Sequence, residues 1–226
     1  YFKEIRRVCD KYGVLLILDE ILTGAGRTGT YLSCEQDDIV PDLATLAKGL
    51  GAGYQPISAI LVSDKIYRTL ADNRGFFIHG HTYNAHATAC AAALAVNNAI
   101  RERSLLPQVK DMGDKLKSAL HEKFANHPHV GDIRGRGLLI GMELVADRTT
   151  KEPFPADRLL WLGITRVAME NGLVCYPGAG TVDGTRGDHI LLAPPFIINE
   201  NHIEEIVDKL SRSIDTALKL GPPTLP

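Results

Sequence analysis

The sequence of 226 residues lacks several features that would assign it to a particular class of protein. It has no apolar run close to the roughly 20 residues that cross a bilayer, and no basic segment followed by an apolar one opens it. Its 25 lysines and arginines against 27 acidic residues give a net charge of −2 and form no basic block. We therefore expect neither a membrane protein nor a nucleic-acid-binding protein.

Cysteine is scarce as well, and its positions have neither the paired spacing of a metal site nor the density of a disulfide scaffold. The four cysteines are scattered along the chain, at Cys9, Cys34, Cys90 and Cys175. We expect reduced thiols, no metal centre and a cytoplasmic location.

The sequence does contain enough apolar material for a substantial core, since hydrophobic residues make up 45% of it. It begins at Tyr1, and its opening stretch, YFKEIRRVCDKYG, already has the apolar spacing of an amphipathic helix. We expect the sequence to be part of a longer polypeptide.

Three apolar segments in the first half predict the strands of a sheet. The segment VLLILDE runs through five apolar residues to Asp19 and Glu20, as a strand that is buried on both faces would. The segments DLATLAKGL, which contains Lys48, and PISAILVSD, at residues 56–64, follow it. A helix followed by buried strands predicts the α/β fold class with parallel strand pairing.

The rest of the chain predicts three helices and two strands. The alanine-rich stretch 87–103 and the stretch 106–124 are typical of helices, and GLLIGMELV and ILLA are typical of strands. Apolar residues at 203, 206, 210 and 214 predict a last helix. We expect a domain boundary between residues 103 and 104, which gives the domains 1–103 and 104–226.

Asp19 and Lys48 are the candidate active-site residues, because each follows a predicted strand and ligands of open α/β sheets bind beyond the carboxyl ends of strands. A lysine is a nucleophile only as the neutral amine, and the apolar flanks and glycines of TLAKGLGAG favour that form and the close approach of a ligand. Such an amine suits a Schiff base. A buried Asp19 would need a cation beside it, and a protonated pyridine nitrogen would supply one.

Five segments resemble successive motifs of the class III aminotransferases, which use pyridoxal 5'-phosphate. They cover nearly the whole chain in the family's order: LLILDEILTGAGRTGTY, PDLATLAKGLGAGYQPISAILV, HGHTYNAHATACAAALA, RGRGLLIGMEL and LLAPPFII. The resemblance implies fold type I of the pyridoxal-phosphate enzymes. Residues 1–103 would be the C-terminal part of the large domain, with its mostly parallel sheet and linking helix, and residues 104–226 an α+β small domain. The chain would then be the C-terminal half of the enzyme.

The resemblance also implies roles for individual residues. Asp19 would pair with the pyridine nitrogen, and Lys48, 29 residues later, would carry the cofactor as an aldimine. Ile21 would pack against the cofactor ring, and Thr82 would reach a phosphate bound in the neighbouring subunit. A homodimer, alone or paired into a tetramer, would therefore share its active sites. Arg186 would bind a substrate carboxylate, which its planar guanidinium matches.

The implied reaction moves an amino group from an amine or ω-amino acid to a keto acid such as pyruvate, with Lys48 transferring the proton between substrate and cofactor. Several alternatives stay open. The same scaffold hosts aminomutases, racemases and decarboxylases, and a truncated fragment would have no activity. Asp19 could be a helix cap or loop charge, Thr82 an ordinary turn residue and Arg186 a solvated loop arginine.

Overall fold

The computed structural model describes residues 1–75 and 77–223, and the chain divides into two compact units, Tyr1–Pro107 and Gln108–Pro226. The first unit contains a three-stranded sheet with the strand order β1-β2-β3. The strands are β1 (Ile17–Asp19), β2 (Leu43–Leu46) and β3 (Ala59–Val62), and its helices are α1 (Phe2–Tyr12), α2 (Asp64–Arg74) and α3 (Ala87–Glu102). Strands β1 and β2 are parallel, and β3 runs antiparallel to β2.

Helix α1 is the amphipathic helix that the opening residues predict. It ends at Gly13, whose φ of +67° lies in the left-handed region that glycine adopts without steric cost. Its partly buried residues Phe2, Ile5 and Cys9 pack against the small cluster that contains Leu16. This packing covers one face of the segment that leads into β1.

The expectation that the first strand is buried on both faces is wrong for this structure. Leu16 is only 8% exposed, whereas its neighbours Leu15 and Ile17 are 48% and 60% exposed. Successive side chains of a strand point to opposite faces. Among the described residues of the first unit, an apolar cluster packs on the face that carries Leu16. The strand is also shorter than its apolar run, since it begins at Ile17.

The second unit is an antiparallel sheet with helices packed on it. Its strands are β4 (Val130–Arg136), β5 (Leu139–Leu144), β6 (Tyr176–Gly178) and β7 (Asp188–Leu192), in the order β4-β5-β7-β6. The helices are α4 (Leu105–Lys123), which belongs to this unit from Gln108 onwards, α5 (Leu160–Glu170) and α6 (Glu200–Lys219). One continuous core joins them, and its fully buried members include Leu116, Leu120, Ile140, Ile164, Ile190, Leu210 and Ile214.

The helices and strands predicted for this part of the chain are present. Strand β5 alternates strictly, with Ile140, Met142 and Leu144 buried between less buried neighbours. Of the four apolar residues predicted to line the last helix, Ile203, Leu210 and Ile214 are buried and Ile206 is partly buried. The units divide after Pro107, and the assignment of 1–103 and 104–226 to two domains of a larger enzyme stays a prediction.

Two features are absent from the part of the chain that the structure describes. No helix among them combines the length and the apolar character that a membrane span needs. No three His, Cys, Asp or Glu side chains among them are grouped as metal ligands.

Candidate active site

The parallel pairing of β1 and β2 brings two predicted site residues to one edge of the first sheet. Asp19, the last residue of β1, lies opposite Thr45 of β2, and the backbone N–H of Glu20 donates a hydrogen bond to the Thr45 carbonyl at 3.0 Å. Strand β2 ends at Leu46, and Lys48 follows two residues later. Because the carboxyl ends of parallel strands meet at the same edge, Asp19 and Lys48 both lie beyond it.

Lys48 has an unusual backbone conformation. It begins a short 3-10 helix, Lys48–Leu50, with a φ of +35°. A positive φ costs a non-glycine residue roughly 1–2 kcal/mol, and such residues persist only where the surrounding structure holds them. They occur often at active sites, so this strain supports a functional role for the turn after β2.

The side chains of Asp19 and Lys48 are exposed in this chain, which differs from the low-dielectric surroundings that the sequence predicts. The apolar flanks explain the difference for Lys48. Leu46 and Leu50 are only 2% and 7% exposed, so they turn into the core and leave the amine between them in solvent. The apolar flanks therefore anchor the turn rather than bury the amine.

The Asp19 carboxylate makes a local hydrogen bond that also orders the next predicted site residue. Its Oδ1 accepts from the backbone N–H of Ile21 at 2.9 Å. Aspartates in loops often accept a hydrogen bond from the backbone N–H two residues later. This arrangement therefore agrees with the alternative that Asp19 is a loop charge. It fixes the half-buried Ile21 directly beyond the strand end.

The segment after β1 packs closely against the turn that carries Lys48. A Cβ atom built on Gly24 would overlap the side chain of Leu46 and lie 2.6 Å from the Glu20 carbonyl. A Cβ atom built on Gly49 would lie 3.3 Å from the Cβ of Ala25. Gly24 is therefore required for the close approach of the two loops, Gly49 lies in a tight contact between them, and the two motifs pack against each other.

Glu20 is a residue of this region that the sequence analysis did not single out. It is only 3% exposed, and its carboxylate accepts hydrogen bonds from the Thr23 hydroxyl and from the backbone N–H of Cys34. The sequence does contain a signal for the burial of Glu20. Side chains alternate along a strand, so a carboxylate next to the exposed Asp19 faces the interior. Burial and the nearby Glu20 carboxylate raise the pKa of the Cys34 thiol to about 11.

Arg27 lies in the same segment after β1. Burial lowers the pKa of its guanidinium to about 10, so it stays protonated at neutral pH. A cavity of about 530 Å³ in this unit is lined by Tyr31 and by residues of α3 such as Asn97, and Asp19 and Lys48 are not among its lining residues.

Thr82 and Arg186 belong neither to β1 and β2 nor to the turns that directly follow these two strands. Thr82 is exposed in a turn at residues 82–85, before α3. Arg186 belongs to the second unit, where its Nε donates to Asp183 at 2.8 Å and its guanidinium lies 3.5 Å from Glu152. The bonds from Arg186 lower the pKa of Asp183 to about 2. The position of Thr82 is also that of an ordinary turn residue. The contacts of Arg186 are also those of a solvated loop arginine.

A sheet with a lysine and an aspartate beyond adjacent parallel strands is the arrangement of an α/β protein that binds a ligand at its strand ends. The model of the family described as Aminotransferase class-III matches residues 1–214. The chain belongs to the class III aminotransferases, which confirms the resemblance noted above. Enzymes of this family depend on pyridoxal phosphate.

Curated relatives of the chain are aminotransferases about twice its length. An uncharacterized aminotransferase of Schizosaccharomyces pombe is 47% identical over 98% of the chain and 48% of the relative. An uncharacterized aminotransferase of Bacillus subtilis is 41% identical over 95% of the chain and 48% of the relative. The chain thus spans about half the length of the curated relatives it matches.

Solved structures of transaminases share the fold. A transaminase from the marine bacterium Virgibacillus has a TM-score of 0.91 and 36% identity over 97% of this chain and 49% of its own. The omega transaminase from Pseudomonas jessenii, solved in complex with PMP, has a TM-score of 0.86 and 36% identity over 97% of this chain and 47% of its own. The α/β fold is therefore fold type I of the pyridoxal-phosphate enzymes, as predicted.

Proposed function

We propose that the protein containing this chain is a pyridoxal-phosphate-dependent aminotransferase that moves an amino group from an amine or ω-amino acid to a keto acid such as pyruvate. The observation that carries the proposal is the edge of the first sheet. There a lysine held at positive φ and an aspartate follow two adjacent parallel strands. Membership of the class III aminotransferases supports the reaction class.

The residues present fit the cofactor by their chemistry. A primary amine, Lys48 Nζ, would hold its aldehyde carbon, and the Asp19 carboxylate would pair with its protonated ring nitrogen. The half-buried Ile21 would pack against the ring, and Thr82 would donate its hydroxyl to a phosphate bound in the neighbouring subunit. When bound, the cofactor supplies an electron sink for the electron pair left on the substrate carbon.

Lys48 would also act as the base of the reaction. Its Nζ would take the proton from the substrate carbon that bears the nitrogen and would pass it to the cofactor, because amino transfer moves this proton and does not restore it to the same carbon. The strained turn keeps that amine at the strand end during both transfers. The Asp19 carboxylate would hold the proton on the ring nitrogen. Arg186 would bind a carboxylate of the substrate after leaving Asp183 and Glu152.

The assembly and location are part of the same proposal. A homodimer would be the smallest active form, because Thr82 would serve the neighbouring active site. Residues 1–103 would form the C-terminal part of the large domain, and residues 104–226 the small domain. Cytoplasmic location is consistent with the four free cysteines of the chain.

The test uses the full protein, incubated with pyridoxal phosphate and then reduced with borohydride. Peptide mass spectrometry should find the adduct on Lys48, and a separate, unreduced sample incubated with an amine and pyruvate should yield alanine. Lys48→Ala should abolish both results, whereas Lys65→Ala, at an exposed lysine of the same unit, should change neither. An adduct and alanine production that survive in Lys48→Ala would refute the role of Lys48.

A further inference from the structure

The Glu20 carboxylate accepts hydrogen bonds from both ends of the segment that follows β1. The Thr23 hydroxyl donates to its Oε2, and the backbone N–H of Cys34, beyond the other end of the segment, donates to its Oε1 at 2.9 Å. The backbone N–H of Glu20 itself donates to Thr45 of β2 at 3.0 Å. Glu20 therefore ties residues 21–33 to the sheet; we call these residues the clamp segment.

The burial of Glu20 calls for an explanation, because a carboxylate that is 3% exposed is costly unless hydrogen bonds compensate it. Hydrogen bonds to an ionised acceptor are roughly twice as strong as those between neutral groups. The two donors come from opposite ends of the clamp segment, so the hydrogen bonds to the Glu20 carboxylate strengthen the closure of this loop.

The clamp segment in turn contacts the turn that carries Lys48. Gly24 lies against Leu46, and Ala25 lies against Gly49 so closely that a Cβ on Gly49 would be 3.3 Å from it. Ala25 is 1% exposed and has a φ of +52°, so it is held in place by its surroundings. The residues on both sides of Lys48 are thus confined by the clamp segment.

This confinement explains how Lys48 keeps a φ of +35°. A strained backbone relaxes to an extended or helical conformation unless packing prevents it. Relaxation would rotate the chain at Lys48 and move its side chain. The contacts of Gly24 and Ala25 oppose that movement.

We propose that Glu20 is a positioning residue for Lys48: its buried carboxylate closes the clamp segment, and the closed segment holds the turn that presents the Lys48 amine. The proposal rests on the proposed function of Lys48. Glu20 itself transfers no proton and contacts no substrate.

The experiment compares three variants of the full protein. Glu20→Ala removes both acceptors, and Glu20→Gln keeps one oxygen for Cys34 and offers an amide to the Thr23 hydroxyl. Glu35→Ala is the matched control: the exposed Glu35 also accepts a backbone hydrogen bond from the clamp segment, from Leu32 at 2.8 Å, but it lies on the 3-10 helix Ser33–Asp37 and not on the sheet. Two quantities are measured on the folded fraction: the rate at which pyridoxal phosphate forms the reducible adduct on Lys48, and the circular dichroism induced in the cofactor's visible band.

Glu20→Ala should slow adduct formation by about tenfold to a hundredfold, the range that a misplacement of about 1 Å causes, and should weaken the induced circular dichroism. Glu20→Gln should restore most of both signals, and Glu35→Ala should match the wild type. A purely structural Glu20 would lower stability but leave the induced signal per folded molecule unchanged. If Glu20→Ala does not fold, Thr23→Val carries the same expectations with a smaller effect.

The proposal is overturned if folded Glu20→Ala or Thr23→Val reacts at the wild-type rate with the wild-type induced signal. It is also overturned if Glu35→Ala is impaired as much as Glu20→Ala. A wild-type protein that forms no adduct on Lys48 is a distinct result, because it refutes the proposed function and removes the basis of this inference with it.

Discussion

Two glycines in helices of the second unit should respond in opposite directions to the same substitution. In an exposed helix interior, replacing glycine by alanine gains about 1 kcal/mol of stability, because glycine loses more backbone entropy on folding. Gly163 of α5 should follow this rule, since an added Cβ would lie 3.7 Å from the Cβ of Ala217, an ordinary contact distance. Gly163→Ala should therefore stabilise the second unit by about 1 kcal/mol.

Gly113 of α4 should break the rule. An added Cβ would lie 2.6 Å from the Cα of Gly137 and would overlap the carbonyl group of that residue. These are backbone atoms of the turn between β4 and β5, so no side-chain rotation relieves the overlap, and moving the turn displaces the fully buried Leu138. Overpacking of this kind costs about 1–3 kcal/mol. We take an overpacking cost of about 3 kcal/mol, the upper end of this range, and subtract the gain of about 1 kcal/mol that alanine brings to a helix. Gly113→Ala should therefore destabilise the unit by about 2 kcal/mol.

The assay is urea unfolding followed by the fluorescence of Trp161, the only tryptophan of the sequence, which lies on α5. Far-ultraviolet circular dichroism serves as a second probe, because Gly163 is close to that tryptophan in sequence. The unfolding free energies of the two variants should differ by about 3 kcal/mol, the sum of the two effects. If Gly113→Ala is as stable as the wild type, the close approach of α4 to the β4–β5 turn is incorrect.

The elements that the sequence predicts well are those with an undisturbed period. Helix α6 and strand β5 each pack one regular face into the same core, so their apolar residues recur at the helical and the strand spacing. Strand β4 is different, because its register shifts between Val130 and Asp132, and only Val130 and Ile133 are buried. A β-bulge breaks the alternation of buried and exposed residues. The charged residues of the strand make the remaining alternation difficult to recognise in the sequence.

The candidate site was predictable to the extent that it depends on strand ends. Asp19 and Lys48 both follow apolar runs, and parallel pairing then brings them to one edge. The positive φ of Lys48 and the buried partners of Glu20 were not predictable, because both depend on contacts between segments that are distant in sequence. Thr82 and Arg186 rest on family resemblance, and their site roles stay predictions.

The remaining predictions concern two aspartates whose conversion to asparagine keeps the shape and removes the charge. Asp19→Asn should still accept the hydrogen bond of Ile21 and still allow the Lys48 adduct, but should slow amino transfer by at least tenfold, measured as alanine formation, since the ring nitrogen loses its counter-charge. Unchanged transfer would contradict this role. Burial raises the pKa of Asp188, whose Oδ1 accepts from the backbone N–H of Trp161 at 3.0 Å. A raised folded-state pKa means that the folded protein binds its proton more tightly than the unfolded chain, so stability falls as the pH rises through that pKa. Asp188→Asn should consequently be more stable than the wild type at neutral pH in urea unfolding, and this advantage should shrink as the pH falls below the folded-state pKa towards the unfolded value near 4. A variant that is less stable at neutral pH would mean that the ionised carboxylate stabilises α5 by more than its burial costs.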